Sequence, residues 1–161
     1  MIYLTDIFIV GFTYLFITTF ENALHKAGHY KESGRLYRWH KIHHTDYPVT
    51  RLESDTYIDT SGWYDNMFAV YIMLTIGIFY ISASTNRIAT IVSTEIITYS
   101  LMLDYFHQQF HLTNSRWKNY KWFQRLKRYH LLHHQKQKTN YNFFTDKVDK
   151  LHNTYIVDKV S

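Results

Sequence analysis

His25-Lys26-Ala27-Gly28-His29, followed after a short gap by His40-Lys41-Ile42-His43-His44, is the stretch from which the rest of the chain reads. The same order returns as His107-Gln108-Gln109-Phe110-His111 and His130-Leu131-Leu132-His133-His134, so ten of the eleven histidines fall into an alternation of HxxxH and HxxHH. Residues three or four apart share a helix face, and each cluster therefore aims two or three imidazoles the same way. Neutral imidazole is the commonest protein ligand for iron, zinc and copper. Ten such ligands exceed what one tetrahedral zinc takes, and they suit two metal ions. A basic surface that happens to be histidine-rich does not account for the repeated order. His152 stands apart and reads as a solvated surface residue.

Composition narrows the chemistry. The chain has 161 residues, room for a single domain over 1–161, and no cysteine, which excludes disulfide frameworks, zinc fingers and iron–sulfur clusters. One Pro and five Gly leave helices few interruptions. The mean hydropathy of −0.33 conceals segregation. No charge occurs between Asp65 and Arg87, and at ~1.5 Å per residue that run is long enough to cross a ~30 Å hydrocarbon core. Ile88 to Phe106 is interrupted only by Glu95 and Asp104, and Met1 to Phe20 only by Asp6. The expectation is an all-α integral membrane bundle with about three crossing helices, near 1–20, 66–86 and 88–106. The competing arrangement is a soluble bundle with three buried helices. Met1 to Phe20 lacks a basic leader and a small-residue cleavage site, and reads as a retained anchor.

Charge placement gives an orientation. Six Lys/Arg lie in 21–64, eleven in 107–161, and only Arg87 near the opposite turn. By the positive-inside tendency both histidine-bearing segments, 21–64 and 107–161, face the cytosol. There they would form a helical cap holding a dinuclear site. The helices carrying His25/His29 and His107/His111 would continue out of the membrane side by side, and the HxxHH elements, on separate short helices, would close over them. Gly28 and Gly34 leave room for close packing or a bend.

The ligand set selects the reaction type. It lacks the Glu-x-x-His elements of carboxylate-rich di-iron bundles and the HExxH of zinc peptidases. What remains is oxygen-dependent redox chemistry at metal. Asp104, three residues before His107 and seven before His111, is the candidate to orient those ligands from behind. Glu95 is expensive in mid-membrane unless paired, and Tyr71 or Thr75 would be its hydrogen-bond partner.

These motifs resemble the fatty acid hydroxylase superfamily, which includes sterol desaturases, sterol methyl oxidases and fatty acid 2-hydroxylases. Leu36-Tyr37-Arg38-Trp39 is similar to the lead-in of the family's second histidine box. Phe123 to His134, with Asp104-Tyr105-Phe106-His107, looks closest to the fatty acid 2-hydroxylase branch. Asn140-Tyr141 and Val148 to Thr154 resemble the family's closing Asn-Tyr-Gly and Trp-Asp-x-Leu-Phe-Gly-Thr elements. The likeness runs from about residue 20 to 155. It implies a membrane-embedded enzyme using O2 on lipid C–H bonds, with His25, His29, His40, His43, His44, His107, His111, His130, His133 and His134 as ligands to two metal ions. Iron is the expected metal, with zinc as the alternative in purified protein. Electrons would come from an external donor such as cytochrome b5 and its reductase, and the endoplasmic reticulum is the implied membrane. The chain departs from the pattern at Asn142 (usually Gly), Val148 (usually Trp) and His152-Asn153 (usually Phe-Gly). The usual loop histidine is missing after the second box, where Asp55, Tyr57 and Asp59 are the alternatives.

Three readings remain distinct at this stage. The first is hydroxylation of an acyl, sphingolipid or sterol chain. The second is desaturation at the same site, and the third is a metal-binding membrane scaffold without turnover. Tyr105 to Thr145 holds eight basic residues and no acidic one. With five ligands in that stretch, anionic headgroups or an acidic donor protein are the expected partners, rather than nucleic acid.

Overall fold

The computed structural model describes residues 4–60 and 87–157, with positions 73–75, 77 and 81 between them. The expected crossing at 66–86 lies outside the described residues except at those positions, whose backbone is helical. The described elements are α1 (Leu4–Ala27), a 3-10 turn (Lys31–Ser33), α2 (Arg35–Asp46), α3 (Arg87–Phe110), α4 (Lys121–Gln135) and α5 (Lys147–Leu151). Among the described residues extended backbone pairs once, Ser54 with Leu112.

α1 and α3 are each 24 residues, or about 36 Å. They run in the same direction. Arg87, at the start of α3, pairs with Asp6 in the first turn of α1 at 2.5 Å, and both helices end at the histidines. α1 continues beyond residue 20 as expected, to Ala27, because nothing breaks it before Gly28, so it carries His25 directly while His29 lies just past its end.

The two faces of α1 are inverted relative to a soluble helix. Thr13, Ile17, Thr18, Glu21, Asn22 and His25 are buried. Leu4, Phe8, Phe12 and Leu15 point outward, 59–73% exposed. α1 is the described helix long and apolar enough to cross a membrane, with a mean hydropathy of 1.5 over its best window. α3 buries Ala89, Ser93, Ile96, Tyr99, Ser100, Leu103, Phe106 and Phe110, at helical spacing, against α1 and α4. The core there joins Ile17, Ile96, Leu103, Phe106, Phe110, Phe123 and Phe143.

Two local features aim α2. Gly34 precedes it at φ 60°, a left-handed conformation that glycine adopts without steric cost. Gly28, just past α1, has no room for a side chain. A Cβ there would lie 2.9 Å from the His40 Cβ, so glycine lets α2 approach α1. Pro48 stands just past the end of α2, where it cannot continue a helix.

Candidate metal centre

Ten imidazoles meet where the four longer helices end. His43, His107, His111, His130 and His134 form one group, with ligand nitrogens all within 4.8 Å of one another. His25, His29, His40 and His133 form the other. His44 joins this second group, with its Nε2 2.9 Å from that of His40 and 3.2 Å from that of His133. Within the groups, Nε2 atoms face each other at 2.8–3.2 Å, as in His40–His29, His25–His133, His43–His134, His107–His43 and His130–His111. The groups adjoin, with the His44 and His134 ring centroids 4.2 Å apart.

The division follows helix geometry. On a helix, residues i and i+4 differ by about 40° around the axis, while i+3 falls on the other side of i. His40 and His44 therefore stay with His25 and His29, and the intervening His43 turns to the other group. α4 does the reverse: His130 and His134 stay with His107 and His111, and His133 crosses over. Each half of the chain builds one group and lends its middle histidine to the other.

Four of the rings are fixed from behind by main-chain carbonyls. His25 Nδ1 meets Tyr141 O, and His111 Nδ1 meets Leu52 O at 2.8 Å. His133 Nδ1 meets Thr139 O at 2.7 Å, and His134 Nδ1 meets Tyr47 O at 3.0 Å. A carbonyl oxygen only accepts, so each of these Nδ1 atoms carries the proton and each Nε2 a lone pair. His25 and His133 consequently present two lone pairs to each other across 2.9 Å. A cation between them removes that repulsion. Two donors each about 2.1 Å from one ion, at right angles, lie about 3 Å apart. The residues thus fit metal ions.

The electrostatics agree. His25, His43, His44, His107, His133 and His134 all lie in the last turns of their helices, so four helix dipoles point their negative ends at the centre, favouring cations. Burial, reinforced by repulsion among neighbouring rings, holds His40, His43, His44, His130 and His133 well below the usual imidazole range. Burial pushes His29 down to about 4 and His134 down to about 3. Neutral imidazoles are the ligating form.

Residues 139–154 strap the centre onto α1. Phe143 stacks on His25 and His130 at 5.4 and 5.0 Å and meets His107 edge-on at 4.9 Å, so one ring covers members of both groups. Glu21 accepts the Phe143 N–H at 2.7 Å and the Tyr99 hydroxyl. Asn142 donates to Thr18 O at 2.7 Å and accepts from Asn22 at 2.8 Å. An Asn side chain thus occupies the place where a glycine was the expectation. Asn153 has φ 56°, a left-handed conformation that Asn tolerates better than most residues, which accounts for Asn where Gly is usual. Val148 is buried.

The other expected residues lie as follows. Asp104 accepts from Gln108 at 3.0 Å, and the orienting contacts to the rings come instead from the four carbonyls. Those carbonyls have no sequence signal, because every residue has one. Asp55 accepts from Thr113 at 2.5 Å. Tyr57 stacks on Tyr47 at 5.7 Å, and Tyr47 stacks on His111 at 3.8 Å; Asp59 is exposed. His152 is exposed and contacts Asn22 at 3.2 Å. One Glu95 oxygen is buried with no hydrogen-bond partner among the described residues, and Tyr71 lies outside them.

A helical frame that gathers ten histidines into two adjoining groups defines a class of protein in which each group could hold a metal ion. The chain belongs to the fatty acid hydroxylase family, whose model matches residues 10–154. The family implies a di-iron oxidoreductase acting on lipids. No curated protein and no solved structure shows a significant match.

Proposed function

We propose that this protein is a membrane-bound di-iron oxygenase that hydroxylates a C–H bond of a fatty acyl, sphingolipid or sterol substrate. The observation that carries the reading is the facing pair of lone pairs at His25 and His133, within two groups that together use all ten box histidines. The irons would supply O2 activation, with one oxygen atom entering the C–H bond and the other leaving as water. Electrons for that come from an external donor. The chain's own contribution is to hold neutral imidazoles at fixed spacing, to keep the proton of His25, His111, His133 and His134 on Nδ1, and to cover both groups with Phe143.

The inverted faces of α1 support a lipid setting, because large exposed apolar surface beside a polar interior fits hydrocarbon rather than water. α1 and α3, with the segment near 66–86, are proposed as crossing helices of a multi-pass protein. Its histidines would face the cytosol, in the endoplasmic reticulum or an equivalent membrane. Lys121, Arg125 and Arg128 line a cleft of about 420 Å³ on α4, and an acidic donor such as cytochrome b5 suits that surface.

The test uses detergent-purified protein loaded with iron. About two irons per chain are expected, with O2 uptake that depends on donor and reductase, and a hydroxylated lipid in extracts of expressing cells. Changing His133→Ala together with His134→Ala removes one ligand from each group and is expected to abolish product. Substoichiometric metal without product would point to a scaffold, and an unsaturated product to desaturation.

A further inference from the structure

The peptide units behind the four anchoring carbonyls are not equivalent. His134 donates to the carbonyl of Tyr47, whose amide partner is Pro48, so that peptide has no N–H. His25 donates to the carbonyl of Tyr141, and the N–H of the same peptide, on Asn142, donates to Asp149 Oδ2 at 2.9 Å. Asp149 is 0% exposed. It receives only donors: Tyr141 N at 2.9 Å, Tyr129 OH at 2.5 Å, Thr154 Oγ1 at 2.6 Å and Asn22 Nδ2 at 3.2 Å, besides Asn142 N. Three of the five, Tyr141 N, Asn142 N and Asn22 Nδ2, can only donate, and each carboxyl oxygen takes at least one of them, the arrangement that suits the carboxylate form.

An amide is conjugated from N to O. A negative charge held at its N–H pushes electron density onto its oxygen, and hydrogen bonds in series polarise one another. A stronger acceptor at Nδ1–H makes the opposite ring nitrogen a better donor. His133 is tied to the same strap: the peptide of its Thr139 carbonyl donates through Asn140 N to Thr154 O at 2.9 Å, and Thr154 N donates to Asp149 O at 2.8 Å. The other group is backed by the loop carrying Tyr47 and Leu52.

We propose that Asp149 is a positioning residue that tunes the His25 group alone, acting on His25 through the Tyr141–Asn142 peptide, so that the two metal positions differ in donor strength. The inference rests on the two-ion reading above, and the experiment separates the two.

Metal-free protein in detergent is titrated with cobalt(II) against a competing chelator. An unmodified chain that takes up fewer than two ions overturns the two-ion reading itself. With two bound, His111→Ala leaves the His25 group intact and His29→Ala leaves the His111 group. In the first background Asp149→Asn is expected to weaken cobalt binding by roughly 10- to 100-fold and to shift the visible bands of the bound cobalt. In the second the affinity stays within about twofold. Equal losses in both backgrounds, or none in either, overturn the proposal. Tyr129→Phe decides independently, should Asp149→Asn fail to fold. Removing the phenol from Oδ2 leaves more of that charge on the Asn142 N–H, so the His25 group is expected to bind cobalt at least as tightly as before. A loss of affinity there overturns the proposal.

Discussion

His29 and His134 show the energetic cost of burying imidazoles. Their folded-state values, about 4 and about 3, lie below the ~6.5 of an unfolded histidine. Above that value both states are neutral and no penalty arises. As pH falls below it, the unfolded chain takes up protons that the folded chain refuses, so stability is lost progressively from about 6.5 toward 4 and below. Urea midpoints of the chelated protein are expected to drop steadily between those values, and a midpoint that holds or rises down to pH 5 would sink the assignment. At this scale the sequence was informative about identity and silent about support. All ten clustered histidines reach the centre, yet the groups that orient four of them are carbonyls of Tyr47, Leu52, Thr139 and Tyr141. Asp104 was the candidate because carboxylates are visible in a sequence; it engages Gln108.

The four longer helices act as a set, each delivering its C-terminal turn to one place. Their dipoles offer the cations some of the negative charge that a carboxylate ligand would otherwise bring, each contributing about 0.3–1 kcal/mol. Gly28 tests how tightly this set is drawn together. Replacing glycine by alanine at an ordinary backbone conformation usually adds about 0.4–1 kcal/mol of stability. Here the new Cβ would collide with His40, so Gly28→Ala is expected to cost about 1–3 kcal/mol and to release the ion of the His25 group while the other stays. Metal counting and chemical denaturation of that variant give both answers, and a stability gain with both ions kept would refute the packing argument. Gly34 marked a place for a bend, and helix type was readable from the histidine spacing and the apolar runs. The burial of Thr, Glu and Asn along α1 was not, because it depends on what the strap at 139–154 places opposite them.

For the molecule as a whole, metal binding at the two groups would be coupled to folding. Candidate ligands in or beside four helices converge on one region, backed by carbonyls of the C-terminal strap, so any ion that binds the folded chain alone would stabilise all of it. At a thousandfold excess over Kd each ion contributes ~4 kcal/mol, or on the order of 10 °C in Tm for a chain of this length. Stripping with a chelator is expected to lower the unfolding temperature by that order, and re-addition of iron(II) to restore it. An unchanged midpoint would mean that the groups do not bind metal in the folded state.

The sequence by itself determined the candidate ligands, the helical framework and the family, because each is written in local spacing: intervals of three and four along a helix, apolar runs, and their order along the chain. Only the tertiary structure decided which histidines belong together. His43 and His133 leave their own halves for the opposite group, and α1 meets the strap through Glu21 and Asn142. These choices depend on the rotation of each helix about its axis and on contacts between residues more than a hundred positions apart, distances over which local periodicity carries no information.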